Sequence, residues 1–173
     1  MNVMLGVTGS IAAYKAAEIV RLLTRAGNRV TVVMTPAACE FVKPLTFQTL
    51  SRNPVYVDQF AAPHEWKPEH ISLAESMEVA LVAPATANTI AKMRYGLADN
   101  LLTSVLLATR ARIVVAPAMN EGMWDNPSTR DNVAVLKARG VEFVEPEVGE
   151  LACGTSGRGR MGSPETIVAA VMK

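Results

Sequence analysis

The chain has 173 residues, half of them apolar and 19% charged, with a net charge of +1. That length suffices for one domain with a substantial core, and the balanced charge gives no reason to expect nucleic acid or a membrane surface as a partner. No apolar run approaches the roughly 18 residues of a membrane span, the N-terminus lacks the regions of a signal peptide, and two cysteines, Cys39 and Cys153, make neither a disulfide framework nor a four-ligand zinc site; the expectation is a cytoplasmic protein without a metal.

The run NVMLGVT, Asn2 to Thr8, predicts a strand that ends at Gly9-Ser10. Ala12, Ala16, Ile19, Val20 and Leu23 then fall on one helical face, and Gly27-Asn28 closes that helix. RVTVVM, Arg29 to Met34, is β-branched and predicts a second strand, so the chain opens as a right-handed βαβ unit. EVALVA from Glu78 predicts a third strand, followed by a helix from Ala87 to Tyr95. RIVVA from Arg112 predicts a fourth, Pro127 to Arg139 a helix, and Val141 to Val144 a fifth strand. Strands apolar on both sides suit a sheet covered by helices on both faces. The predicted fold is therefore α/β, a doubly wound, Rossmann- or flavodoxin-like parallel sheet, in a single domain over 1–173. Asn53 to Glu69 and Glu145 to Pro164 read as irregular, and long irregular segments in a compact domain are more often functional than idle.

Three strand ends carry small polar residues, and in such a fold they converge at the carboxyl edge of the sheet. VTGSIAAYK puts Gly9 and Ser10 where a helix start favours a single phosphate; Ser10 reads equally as a plain N-cap. Neither a dinucleotide fingerprint nor a Walker A loop is present. APATANTIAK crowds Thr86, Asn88 and Thr89 at the next helix start. APAMNEGMW places Asn120 among apolar residues, as a carboxylate or flavin contact or as an Asx-turn. The stretch LACGTSGRGRM, Leu151 to Met161, is too glycine-rich to predict helix or strand, and it sets Cys153 in a glycine-hinged flap spanning about 145–164.

GSIAAYK, PATANT, PAMNEGMW and LACGTSGRGRM, in that order, resemble the flavin-dependent cysteine decarboxylases, above all those that act on phosphopantothenoylcysteine in coenzyme A synthesis. The resemblance covers essentially the whole chain. It implies FMN as cofactor, held by Gly9, Ser10, Thr35, Phe41, Thr86, Ala87, Asn88, Thr89 and Ala118. It implies oxidation of the substrate thiol to a thioaldehyde, loss of CO2, and reduction of the resulting ene-thiol to 4′-phosphopantetheine. His70, in EHISLA, takes the acid/base role of the first half. Asn120 holds the substrate carboxylate, and Cys153 donates the final proton. Met119, Ala152 and Gly154 complete the substrate contacts. Arg158 and Arg160 read as flap-closing or phosphate-meeting residues, or as solvated surface charge. Cys39, among small apolar residues, reads as a buried hydrophobe, and His64 takes no role.

The same resemblance implies homotrimers, or assemblies of trimers, with the flavin between subunits, and a ligase domain fused C-terminally in many relatives. Two other readings stay open at this point. One is a flavin-binding regulatory subunit, although this chain has no long acidic tail. The other is a decarboxylase of peptide C-terminal cysteines, against which the Ala152-Cys153-Gly154 flap speaks.

Overall fold

The structure, a computed structural model, describes residues 1–61, 67–150, 154 and 156–173. Its centre is a sheet of six parallel strands. In chain order these are β1 (Asn2–Val7), β2 (Arg29–Met34), β3 (Val55–Tyr56), β4 (Val79–Ala85), β5 (Arg112–Pro117) and β6 (Glu142–Phe143). Their order across the sheet is β3-β2-β1-β4-β5-β6. The reversal of winding direction falls between β1 and β4, which is where a doubly wound sheet opens a crevice beyond its carboxyl ends.

Period-two alternation divides each strand between two cores. Val3, Leu5 and Val7 of β1, with Val79, Leu81 and Ala83 of β4, enter one cluster. Met4, Ala80 and Val82 enter the other. The first cluster is covered by α1 (Ala13–Arg25), α3 (Pro44–Ser51) and α9 (Pro164–Val171), through residues such as Ile19, Phe47 and Ile167. The second is covered by α4 (Glu69–Ser76), α5 (Ala87–Tyr95), α6 (Leu101–Ala108) and α8 (Pro127–Ala138). A short α2 (Pro36–Cys39) follows β2, and α7 (Glu121–Trp124) follows β5. Each fully buried Leu or Ile contributes about 1.5–3 kcal/mol relative to exposure, so the two faces together fix which edge of the sheet the turns occupy.

The first βαβ unit forms where its pattern predicts. Ala13, Ala16, Ile19, Val20 and Leu23 are the buried face of α1, and the helix stops where Gly27 takes φ 80° and Asn28 Nδ2 donates to Leu23 O at 3.1 Å. The predicted fifth strand is reduced to Glu142–Phe143, paired in parallel with Val114 and Val115. The sequence patterns predict none of α2, α3, α4, α6, α7 and α9, nor β3.

The expectation that Glu145 to Pro164 is irregular is corrected. β7 (Glu147–Glu150) and β8 (Ser156–Arg160) form an antiparallel pair. The glycines of SGRGR do not break this strand; they let it lie against the chain after β5. Gly159 has φ 138°, and a Cβ there would meet Met119 O at 2.2 Å. No helix among the described residues is long and apolar enough to cross a membrane.

Candidate active-site crevice

The turn after β1 is built by its own backbone. Ser10 N–H donates to Thr8 O at 2.8 Å, and Ala13 N–H to Ser10 O at 2.9 Å. Ser10 Oγ accepts from Ala12 N at 3.3 Å, so Ser10 supports the start of α1 from within the turn. Among the described residues the N–H groups of Gly9 and Ile11 have no hydrogen-bond partner. Two such donors at a helix start make a concavity for an anion. Gly9 is needed because α2 crosses close by: a Cβ on Gly9 would stand 2.6 Å from Ala37 Cβ.

The second turn, between β4 and α5, is tied to the first. The buried Thr8 hydroxyl donates to Pro84 O at 2.7 Å and accepts from Thr86 N at 3.0 Å. Thr86 caps α5 through Thr89 N at 3.2 Å. Its hydroxyl lies 3.1 Å from that of Thr89, which is buried.

The third turn, after β5, carries Asn120. Ala118 N–H bonds to Ala85 O at 3.1 Å, and Met119 N–H to Gly159 O at 3.0 Å. Asn120 Oδ1 accepts from Gly122 N at 2.8 Å, which makes Asn120 the N-cap of α7 and fixes the orientation of its amide. The neighbouring Glu121 accepts the N–H of Arg158 through Oε1 at 3.0 Å. The root of the β7–β8 hairpin is therefore fastened to the asparagine turn by one backbone–backbone bond and one bond to the Glu121 carboxylate.

These turns enclose a cavity of about 720 Å³. Of the residues the sequence singles out, it brings together Gly9, Ser10, Thr86 and Ala87 from the first two turns, and Ala118, Met119 and Asn120 from the third, with Gly154 and Arg160 from the hairpin side. Thr35, Phe41, Asn88 and Thr89 do not line it. Thr35 is buried and caps α2 through Ala38 N at 3.2 Å; Phe41 and Asn88 are exposed. His70 is half-buried in the first turn of α4 and does not reach this cavity. Arg158 does not line it either. Ala152 and Cys153 lie outside the described residues.

Ile11, Tyr14 and Lys15 of the first turn and helix also line the cavity, as do Met123 and Met161. The sequence takes Met123 as a core or subunit-contact residue and gives the others no role, because a polar or isolated apolar position opposite the buried stripe of α1 reads as solvated surface. The signal was in the exposure: Ile11 and Tyr14 are large side chains left 55% and 61% exposed. Lys15 has its pKa lowered, first by burial and then by the positive charge of Arg160, with Glu147 and Glu18 opposing. A second cavity of about 370 Å³ lies at the opposite edge, beside Asn2, Arg29 and Ser76, remote from all three turns.

Comparison with known proteins agrees with this geometry. The profile of the Flavoprotein family matches residues 1–173. The coenzyme A biosynthesis bifunctional protein CoaBC of Bacillus subtilis (strain 168) is 48% identical over 167 residues, which are 96% of this chain and 41% of that protein. A probable phosphopantothenoylcysteine decarboxylase of Streptococcus mutans is 44% identical across 96% of this chain and 94% of its own length. Among solved structures, a cysteine-to-serine mutant of PPC decarboxylase complexed with pantothenoylaminoethenethiol superposes with a TM-score of 0.89 at 31% identity, covering 99% of this chain and 96% of that one. The chain thus spans about two-fifths of the bifunctional relative and nearly all of the shorter one.

Proposed function

The chain belongs to the flavoprotein family, and from that premise we propose that it decarboxylates 4′-phosphopantothenoylcysteine to 4′-phosphopantetheine with FMN. The observation that carries the proposal is the cavity of about 720 Å³ where the phosphate turn, the Thr86 turn and the Asn120 turn meet. That volume lies in the range of cofactor and ligand sites. The N–H groups of Gly9 and Ile11, without a partner among the described residues, suit the one phosphate of FMN. Ala87 and Ala118, both without bulky side chains, leave room along the lining for a planar ring. When bound there, FMN supplies the electron-pair acceptor and donor without which CO2 does not leave a saturated carbon.

The residues of the chain do the rest. Asn120 receives the substrate carboxylate with a neutral amide. A fixed cation would stabilise the very charge that must be lost, whereas a neutral donor orients it at less cost to the barrier. Cys153 donates the last proton. An ordinary thiol, with a reference pKa near 8.5, is mostly protonated at neutral pH, as a donor must be, and keeping it reduced fits a cytoplasmic enzyme. The β7–β8 hairpin, fastened at its root to the asparagine turn, carries this thiol toward the substrate and excludes water. A structural relative with serine for a cysteine holds an ene-thiol, the species expected where that proton is not delivered.

Thr35, Phe41, Asn88 and Thr89 join the cofactor contacts in the proposed holoenzyme. His70 serves as the acid/base residue of the oxidative half. Since it does not line the cavity of its own chain, it acts on the cavity of a neighbouring copy in a homotrimer. A solution mass of one chain would remove that role. The activity itself is tested by incubating the purified protein, loaded with FMN, with phosphopantothenoylcysteine and weighing the product. Loss of CO2 with no net redox change is expected. For Cys153→Ser the product is expected to be lighter by two further hydrogens. No loss of CO2 from the wild type would sink the reading.

A further inference from the structure

Two cations line the crevice: Lys15 from α1 and Arg160 from β8. Both line the same cavity, and the positive charge of Arg160 acts on Lys15 by repulsion. Neither makes an ion pair among the described residues. Of the acids that act on Lys15, Glu147 acts most, and it has one carboxylate oxygen occupied by the N–H of Ser163 at 2.9 Å. Lys15 is half-buried and Arg160 exposed, and two like charges on one cavity repel unless an anion joins them.

Arg160 is well placed to stay there. It follows Gly159, whose carbonyl is bonded to Met119 N at 3.0 Å, and its side chain lies against Gly149 on the paired strand, with Nη1 3.0 Å from where a Cβ would stand. The backbone of Arg160 pairs with Glu147 at the hairpin root, and its side chain runs along the pair to Gly149. Lys15 stands in the first turn of α1, after the Gly9–Ile11 turn whose N–H groups suit the cofactor's phosphate.

We propose that Lys15 and Arg160 together bind the phosphate monoester of the substrate, and so select phosphorylated over unphosphorylated pantothenoylcysteine. The inference rests on the decarboxylase reading and deepens it. A dianion accepts charge-assisted hydrogen bonds from both an ammonium and a guanidinium. With the phosphate held at the α1 end, the cysteinyl end extends along the cavity to Asn120.

The test compares the flavin-loaded wild type with Lys15→Gln, Arg160→Gln and the double variant on phosphopantothenoylcysteine and pantothenoylcysteine, reading kcat/KM for each and the flavin content by absorbance. The wild type is expected to prefer the phosphorylated substrate. Each single variant is expected to cut that preference about tenfold or more, the loss of one charge-assisted bond, chiefly through KM. The double variant is expected to abolish it, and Lys15→Arg to keep most of it, all with flavin retained. Equal losses on both substrates would overturn the inference, because the charges would then serve the fold or the thiol end. Loss of flavin in the variants would overturn it too, by assigning the pair to the cofactor's phosphate. Either result leaves the decarboxylase reading standing. A wild type inert on both substrates defeats that reading, and this one with it.

Discussion

The buried hydroxyl of Thr8 receives the backbone N–H of Thr86 at 3.0 Å, across 78 positions of sequence. The same hydroxyl donates to Pro84 O at 2.7 Å. One side chain at the end of β1 thereby holds both peptide groups of the β4–α5 turn, and two walls of the crevice are a single hydrogen-bonded unit. Thr8→Val keeps the shape and strands a buried donor and a buried acceptor. It is expected to cost about 1–3 kcal/mol, read as a lower urea midpoint at constant slope, and to weaken flavin retention. Thr8→Ser should restore most of both. A valine variant as stable and as yellow as the wild type would show that the hydroxyl contributes nothing.

The hairpin root offers a second check. Gly159 combines φ 138° with a backbone contact that leaves no room for a methyl group. Gly159→Ala must displace either β8 or the Met119–Asn120 peptide, and backbone does not yield as a flexible side chain does. A loss of about 2–4 kcal/mol is expected, together with reduced turnover. Glu121→Gln retains an oxygen for Arg158 N–H and should cost under about 1 kcal/mol. Hydrogen exchange of the Arg158 amide is the discriminating measurement: it should quicken in Glu121→Ala and stay close to wild type in Glu121→Gln.

What the sequence made visible follows from the range of the forces involved. The strands β1, β2 and β5 and the helices α1 and α5 are written in local patterns, apolar runs or a helical stripe ended by glycine. The sequence LLTSVLLA of α6 is apolar on every side, so it shows no period, and only the Asn100–Thr103 capping box marked its start. The signals for α9 were the cap Ser163 and Pro164 at its first position. The hairpin was hidden for a different reason. Its glycines read as breakers because the groups that require them, Met119 O and the carboxylate of Glu121, are some 40 residues away in sequence. The same applies to the crevice: its turns are local and legible, whereas the approach of Lys15 to Arg160 is set by the docking of the hairpin.

Burial pushes the thiol of Cys39 up from its ordinary pKa; Lys43 opposes this and Glu40 adds to it. The folded state therefore holds the thiol proton to higher pH than the unfolded chain does. The stability this contributes is complete below the unfolded pKa, near 8.5, and is lost as pH rises through the raised folded value. Two outcomes are expected in a Cys153→Ser background, where Cys39 is the sole thiol. Alkylation by iodoacetamide at pH 8 should be roughly tenfold slower in the folded than in the urea-unfolded protein. Between pH 8 and 10, stability should fall more steeply than in the matching Cys39→Ala variant. Equal alkylation rates in the two states would contradict the direction of the shift.

Asn120 allows charge to be separated from shape. Its Oδ1 accepts the Gly122 N–H at 2.8 Å, and a carboxylate oxygen at the same place accepts that bond equally well. Asn120→Asp should thus preserve the turn, the cap of α7 and the fold, while setting a negative charge against the substrate carboxylate. Repulsion within the crevice acts on binding and orientation of the group that leaves. Decarboxylation is expected to fall by roughly 10²-fold or more, the order found when a positioned polar contact is lost, with the urea midpoint unchanged and flavin still bound. Asn120→Ala should behave differently, since it removes the cap as well and costs about 1 kcal/mol of stability. The two variants together separate the roles. If Asn120→Asp turns over at the wild-type rate with its fold intact, the carboxylate does not bind at this amide, and the substrate lies in the crevice in another orientation.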